Sequence, residues 1–394
     1  MTRTRWLALF ALLFAFLFER VYQQFRLRLR PPPLFSPKFF PSSTSYDDML
    51  DSTSKAHFRD HGYVIIRNAL DPHTVDFLRN VSTSFGTSVP GPYSSFMNNP
   101  WRMQEGLLDF LSYGPTGSLA AKLMKVDSVR LVLDYMITML DDGAKGSPFH
   151  ADMMHISDES PEVSFWYSLS KVTVEGGGGI AVIPSSHKWR TSSSPSDRLC
   201  HWRVDKSTEI YNTLTPSQIS YCSDRFDSEK VTLSLERGDA VIWDRWLMHG
   251  TVPFSTNNTL SEVPRIAYNV RVAGEGSIFS LPEFLCSGRP RWEWYQEWDG
   301  AVDGEVMRGG FMPKLYPNVI EEERNTALKE IREFPGMQRR GFLKMLFEFA
   351  VYKPLMCKIP AAMGLKPVEH EHHSISIVNS GRFLRLFKYF SSEK

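Results

Sequence analysis

His150 and Asp152 flank a single alanine, and His249 follows much later in the chain. Strand side chains alternate with period two, so His150-Ala151-Asp152 on a strand puts an imidazole and a carboxylate on one face. A second imidazole, His249, can arrive from a later strand. Two imidazoles and one carboxylate on one face of an octahedral iron(II) leave three positions open to small molecules. Alone, His-x-Asp is short enough to recur by chance, so the reading depends on what surrounds it.

The surrounding elements read mostly as strands. Val129 to Leu140 (VRLVLDYMITML) is long and rich in β-branched and aromatic residues. Phe165 to Lys171, Gly179 to Ile183, Val231 to Leu235, Ala240 to Trp243 and Ile266 to Val272 follow the same pattern. Lys55 to His61 reads as a helix and Tyr63 to Ile66 as a short strand. Asp71-Pro72 supplies an N-cap and first helical position for a helix carrying Val75, Leu78 and Val81. Many strands with short turns predict a sandwich or barrel, mainly β with flanking helices.

Two stretches frame the ligands. One is SPFHADMMHISDESPEVSFWYSLSKVTVEGGGGIAVIPSSHKWR, Ser147 to Arg190; the other is SLERGDAVIWDRWLMHGTVPF, Ser234 to Phe254, followed by PRIAYNVRV, Pro264 to Val272. Their markers are His150-x-Asp152, Pro184-Ser185-Ser186-His187-Lys188, Gly238-Asp239, His249-Gly250-Thr251 and Arg265. Upstream lies Phe58-Arg59-Asp60-His61-Gly62-Tyr63-Val64-Ile65-Ile66. In this order the chain resembles the phytanoyl-CoA dioxygenase family of Fe(II)/2-oxoglutarate oxygenases, over about residues 55–275.

The resemblance implies a double-stranded β-helix (jelly roll, cupin-like) core. It implies that His150, Asp152 and His249 hold Fe(II), with 2-oxoglutarate and O₂ as cosubstrates and ascorbate as an optional reductant. The distal carboxylate of 2-oxoglutarate needs a fixed cation, which a guanidinium supplies with charge-assisted, two-pronged hydrogen bonds. The family position for that cation is Arg265, with Thr251 adding a hydroxyl. Arg271 competes, because six residues on it shares the facing of Arg265 in a regular strand. The implied reaction hydroxylates a C–H bond of a small-molecule or lipid-like substrate and releases succinate and CO₂. Related halogenases carry a small residue at the carboxylate position; Asp152 therefore favours hydroxylation. The alternative is a non-catalytic, membrane-anchored jelly-roll binding protein. A Zn²⁺ hydrolase on the same ligands is weaker, as the chain has no H-E-x-x-H.

Other residues of the right types have structural readings. His155 lies beside the pair but outside the ligand pattern, and His187 sits in a turn. Trp166, Tyr167 and Tyr135 line either a 2-oxoglutarate pocket or the core. Gly176 to Gly179 lacks the Lys-[Ser/Thr] of a phosphate loop. Glu369-His370-Glu371-His372-His373 reads as a solvated tail.

The 394 residues divide into an anchor or targeting segment (1–30), a Pro/Ser-rich linker (31–45), a jelly-roll domain (46–280) with an insertion at 192–229, and an aromatic-rich, helical extension (281–394). The insertion either covers the barrel mouth or is a surface excursion. Trp6 to Phe18 is an uninterrupted apolar run, read as a single-pass anchor, a signal peptide or a transit peptide. Arginines after the run favour a cytosolic domain; the sequons at Asn80 and Asn257 favour a lumenal one. In the extension, Ile320 to Phe334 reads as an amphipathic helix and Gly341 to Tyr352 as a more apolar one. Trp292, Trp294, Tyr295 and Trp298 form either a core anchor or a partner surface. The basic-aromatic segment after Gly381 either packs or lies on a membrane. Net charge of +1 gives no reason to expect nucleic acid. Cys200, Cys222, Cys286 and Cys357 are widely spaced and read as buried free thiols, with one disulfide admissible in a lumenal domain.

Overall fold

The computed structural model describes residues 46–84, 93–102, 104–141, 143–152, 156–201, 215–256, 258–278, 304–308, 312–317 and 319–329. The N-terminal segment and linker, His155, the Trp292 cluster, the 341–352 stretch, the His-rich tail and the segment after Gly381 lie outside the described residues.

The strands are β1 (Tyr63–Ile66), β2 (Ser95–Asn98), β3 (Val129–Met139), β4 (Glu162–Ser168), β5 (Ile180–Val182), β6 (Val231–Thr232), β7 (Ala240–Asp244), β8 (His249–Thr251), β9 (Arg265–Gly274) and β10 (Lys314–Tyr316). The helices are α1 (Ser52–His61), α2 (Pro72–Ser84), α3 (Glu105–Tyr113), α4 (Thr116–Met124), α5 (Pro195–Cys200) and α6 (Pro216–Glu229). One sheet runs β1-β7-β4-β9-β3-β10, with β2 also on β3; the other runs β6-β5-β8. Every strand pair among the described residues is antiparallel, as a jelly roll requires.

Local chemistry sets the entry to the sheet. Asp51 accepts the Ser54 N–H at 2.6 Å and opens α1. Gly62 closes it at φ +83° and turns the chain directly into β1. Asp71 accepts the His73 and Thr74 N–H groups at 2.9 and 3.1 Å, capping α2 at the expected Asp71-Pro72 step.

Period-two alternation sorts the large sheet into two faces. Phe165, Tyr167, Ile242, Ile266, Tyr268 and Val270 pack with Leu107, Phe110 and Leu119 of the helices. Trp166, Val241, Trp243 and Ala267 point the other way, against Ile180, Val182 and Leu233 of the second sheet. Arg265, Asn269 and Arg271 share the parity of Ala267 and so face the interior. A register shift between Leu131 and Leu133 changes the facing of β3. Leu131 lies opposite Val272 on the helix side, whereas Leu133, Tyr135 and Met139 lie opposite Arg271, Asn269 and Arg265.

Four expectations change. The Phe165 strand starts earlier, at Glu162, whose buried carboxylate is paired to Arg245 at 3.3 Å. The Val231–Leu235 strand contracts to β6, with Leu235 in an isolated bridge to Val172. Cys200 and Cys222 are not free thiols: they form a disulfide that joins α5 to α6 within the insertion. Lys314–Tyr316, expected within the C-terminal extension, adds β10 to the edge of the main sheet. Residues 321–329 are helical, and Arg324 bonds Asp109 of α3 at 2.7 Å.

Candidate metal and 2-oxoglutarate site

His150 and His249 meet across the gap between the ligand-bearing segments. Their backbones exchange two hydrogen bonds, both 2.9 Å, and their rings lie 4.3 Å apart. Gly250 permits the approach, because a Cβ there would press on the Phe149 backbone. Gly146 takes φ +68° and packs against Thr251 where no side chain fits.

Each ring is held by its own chain. His150 Nδ1 bonds the Pro148 carbonyl at 2.8 Å, and His249 Nδ1 the Leu247 carbonyl at 2.9 Å. A carbonyl only accepts, so both Nδ1 atoms carry the proton and both Nε2 atoms keep a lone pair. Each Nε2 lies 3.7 Å from Asp152 Oδ1. The three ligand atoms fall within 4.8 Å of one another. Burial pushes the His249 imidazole down to about 4, more strongly than the nearby Asp152 raises it, so it is neutral at pH 7.

Asp152 is fixed from behind. Its Oδ2 accepts the Ser164 hydroxyl at 2.7 Å and the Trp243 indole N–H at 2.8 Å, while its Oδ1 also accepts from Arg271. Burial would raise this carboxyl, but Arg271, His249 and His150 outweigh it and hold it well below the usual range. The donor set fits iron(II): two neutral imidazole nitrogens and one ionised, oriented carboxylate on a common centre.

Arg265 meets the requirement for a 2-oxoglutarate clamp. It is 1% exposed, and its Nε and Nη1 find no hydrogen-bond partner among the described residues. Its Nη2 meets the Met139 thioether, a weak acceptor. Burial pulls its pKa down to about 10, so it remains a cation at neutral pH. A buried guanidinium with orphaned donors is costly unless an anion completes it. The rings of Trp166 and Tyr93 lie 5.6 and 5.7 Å from it. Thr251 Oγ1 is 3.1 Å from the Tyr93 hydroxyl, which also bonds Ser147 at 2.9 Å, so Thr251 reaches the Arg265 neighbourhood through Tyr93.

Arg271, the competing clamp, is committed to Asp152 and to the Tyr135 hydroxyl at 3.1 Å. Of the aromatic candidates, Trp166 and Tyr135 face the interior. Tyr167 is core, with its hydroxyl 2.8 Å from Thr116 and its ring against Phe110. His187 bonds the Arg59 carbonyl at 3.2 Å, the turn role expected of it. Sequence reasoning missed Ser164, Trp243 and Tyr93. The parity of Ser164 and Trp243 was readable from their strands, but nothing in their types announced an Asp152 partner.

The insertion lies beside this site. Cys200, Cys222, Phe226 and Trp189 pack with Ala151 and Met248, the neighbours of the ligands in sequence.

Fold and site together define a jelly-roll Fe(II)/2-oxoglutarate-dependent oxygenase. Residues 116–259 match the family model described as phytanoyl-CoA dioxygenase (PhyH). Among solved structures it is similar to the non-haem α-ketoglutarate-dependent carbocyclase SnoK from nogalamycin biosynthesis, at 15% identity and TM-score 0.52, covering 68% of this chain and 97% of that one. The epimerase SnoN of the same biosynthesis follows, at 16% identity and TM-score 0.49, covering 67% and 98%. EctD from S. alaskensis, with 2-oxoglutarate and 5-hydroxyectoine, is 16% identical with TM-score 0.45, covering 66% and 91%. No curated protein sequence matches the chain.

Proposed function

We propose that this oxygenase hydroxylates a C–H bond of a small organic substrate, converting 2-oxoglutarate and O₂ to succinate and CO₂. The observation that carries the reading is the pairing of a three-ligand centre with a buried, orphaned Arg265. Bound iron would supply the oxygen activation. The chain's own residues do the rest. His150, Asp152 and His249 hold the metal, with their donor atoms aimed by the Pro148 and Leu247 carbonyls and by Trp243 and Ser164. Arg265 receives the distal carboxylate of 2-oxoglutarate and fixes its reach to the metal. Trp166, Trp243 and Ala267 wall the interior and exclude water. Purified protein given Fe(II), ascorbate, 2-oxoglutarate and a substrate panel should release succinate with a hydroxylated product; release of neither contradicts the reading.

We also propose that the domain works in an oxidising, lumenal compartment, tethered by the apolar run at residues 6–18. The buried Cys200–Cys222 bond supports the compartment, and Asn80, exposed on α2, offers a glycosylation sequon. Among the described residues no helix is long and apolar enough to cross a membrane. Loss of glycan mass with Asn80→Gln tests the topology, and an unglycosylated protein in secretory-competent cells counts against it.

A further inference from the structure

The iron and 2-oxoglutarate reading leaves one interior cation unused, and the inference that follows rests on that reading. We propose that Arg271 is the substrate-reading residue: it receives the carboxylate of an organic acid whose apolar or aromatic body lies along Tyr135 and Phe96.

Arg271 sits opposite Leu133 of β3 and Ser164 of β4, on the interior face of β9. It is 5% exposed. One nitrogen, Nη2, reaches Asp152 Oδ1 and the Tyr135 hydroxyl; Nε and Nη1 find no hydrogen-bond partner among the described residues. The guanidinium therefore lies at the metal centre with three of its five N–H donors unspent. Buried N–H groups of a cation are satisfied by an anion at far lower cost than by nothing.

Charge counting points the same way. Iron(II), Asp152 and the two carboxylates of 2-oxoglutarate leave one negative charge, which Arg265 balances. Glu162 and Arg245 form their own buried pair. Among the described interior groups, Arg271 then remains as a positive charge without a balancing anion once the cosubstrate is in place. Arg265 and Arg271 are separated by six residues of β9, about 20 Å of strand. They serve different ends of the site, and a five-carbon diacid held by Arg265 leaves Arg271 free for a second acid.

The surroundings describe that second acid. Burial holds the Tyr135 phenol well above its usual range, against the pull of Arg271, so it keeps a proton to donate. Beside it Phe96 stacks at 5.1 Å, and Tyr93 stacks on Phe96 at 6.2 Å. These three rings are each partly exposed. A carboxylate held by Arg271 and Tyr135 thus adjoins a row of aromatic faces suited to a flat or apolar body.

The test uses the full chain, anaerobic and loaded with Fe(II) and 2-oxoglutarate. It is titrated with 3-phenylpropionate and with the isosteric, neutral 3-phenylpropanamide. Binding is read from tryptophan fluorescence and from the iron-to-2-oxoglutarate absorption band. The wild type should hold the acid at least about tenfold more tightly than the amide. With Fe(II) and 2-oxoglutarate held at saturation, so that a loosened Asp152 still carries metal, Arg271→Met should remove the preference; Arg271→Lys should keep part of it, since it keeps the charge. Equal or absent binding of acid and amide by the wild type overturns the proposal. A loaded Arg271→Met protein that keeps the preference for the acid also overturns it. If the wild type shows no iron-dependent 2-oxoglutarate band, the oxygenase reading itself fails, and this inference with it.

Discussion

Trp243 donates its indole N–H to Asp152 Oδ2 at 2.8 Å, which leaves Oδ1 to face both imidazoles. The tryptophan is 1% exposed and cannot trade this bond for water. Such an outer partner orients a ligand and sets its basicity, and losing one costs about 10–100-fold in metal affinity. Trp243→Phe should weaken iron binding by that order, measured by chelator competition, while far-UV circular dichroism keeps the wild-type sheet signal. Unchanged affinity would mean that Ser164 alone suffices to hold Asp152.

Arg265 is the residue whose loss should separate metal from cosubstrate. Arg265→Met removes the buried cation but touches none of the three ligands. Iron affinity should hold within a few-fold, and 2-oxoglutarate affinity should fall on the order of 100-fold, the worth of a two-pronged charge-assisted contact. Isothermal titration of the metal-free variant with Fe(II), and of the loaded variant with 2-oxoglutarate, measures the two.

His187 gives a pH signature away from the metal. Burial takes its imidazole from 6.5 down to about 4, opposed only in part by the Arg59 carbonyl. The unfolded chain therefore protonates first on acidification. The stability tied to a neutral His187 is present above about 6.5 and is lost as the pH falls through about 4. His187→Gln should show a smaller drop in urea midpoint between pH 7 and pH 4 than the wild type. Parallel curves would contradict the assignment.

The disulfide makes a separate prediction. Cys200 and Cys222 are 22 residues apart and tie the insertion to the flank of the ligand segments. Loop-closure entropy for a loop of this size is worth about 3 kcal/mol. Cys200→Ala with Cys222→Ala should destabilise the domain by about that amount in denaturant melts and increase proteolysis between residues 192 and 229. An unchanged midpoint would show that packing of Phe226 and Trp189 is enough.

Legibility in the sequence followed the range of the interactions. His150, Asp152 and His249 were readable because period-two spacing and the framing motifs are local. Arg265 and Arg271 were both readable as inward-facing for the same reason. What separated them was not: Arg271 is ion-paired with Asp152, while among the described residues Arg265 meets the Met139 thioether and no carboxylate, and both facts depend on strands distant in sequence. The early start of β4 was hidden because Glu162 is a charged residue made tolerable by Arg245. The register shift in β3 left no mark in residue types, yet it turns Tyr135 toward the site. Spacing alone gave no partner for Cys200, since a pairing is a statement about the fold rather than the chain.

The most direct test of the central claim is iron-dependent binding and turnover of 2-oxoglutarate. Protein spanning residues 46–394 would be freed of metal, reloaded with Fe(II) and supplied with ascorbate and 2-oxoglutarate, beside Asp152→Ala. Succinate would be quantified with and without O₂, and the iron-to-2-oxoglutarate absorption band recorded anaerobically. The wild type should show the band and O₂-dependent succinate, and Asp152→Ala neither. A folded wild type with neither signal, or an Asp152→Ala protein with both, would contradict that claim.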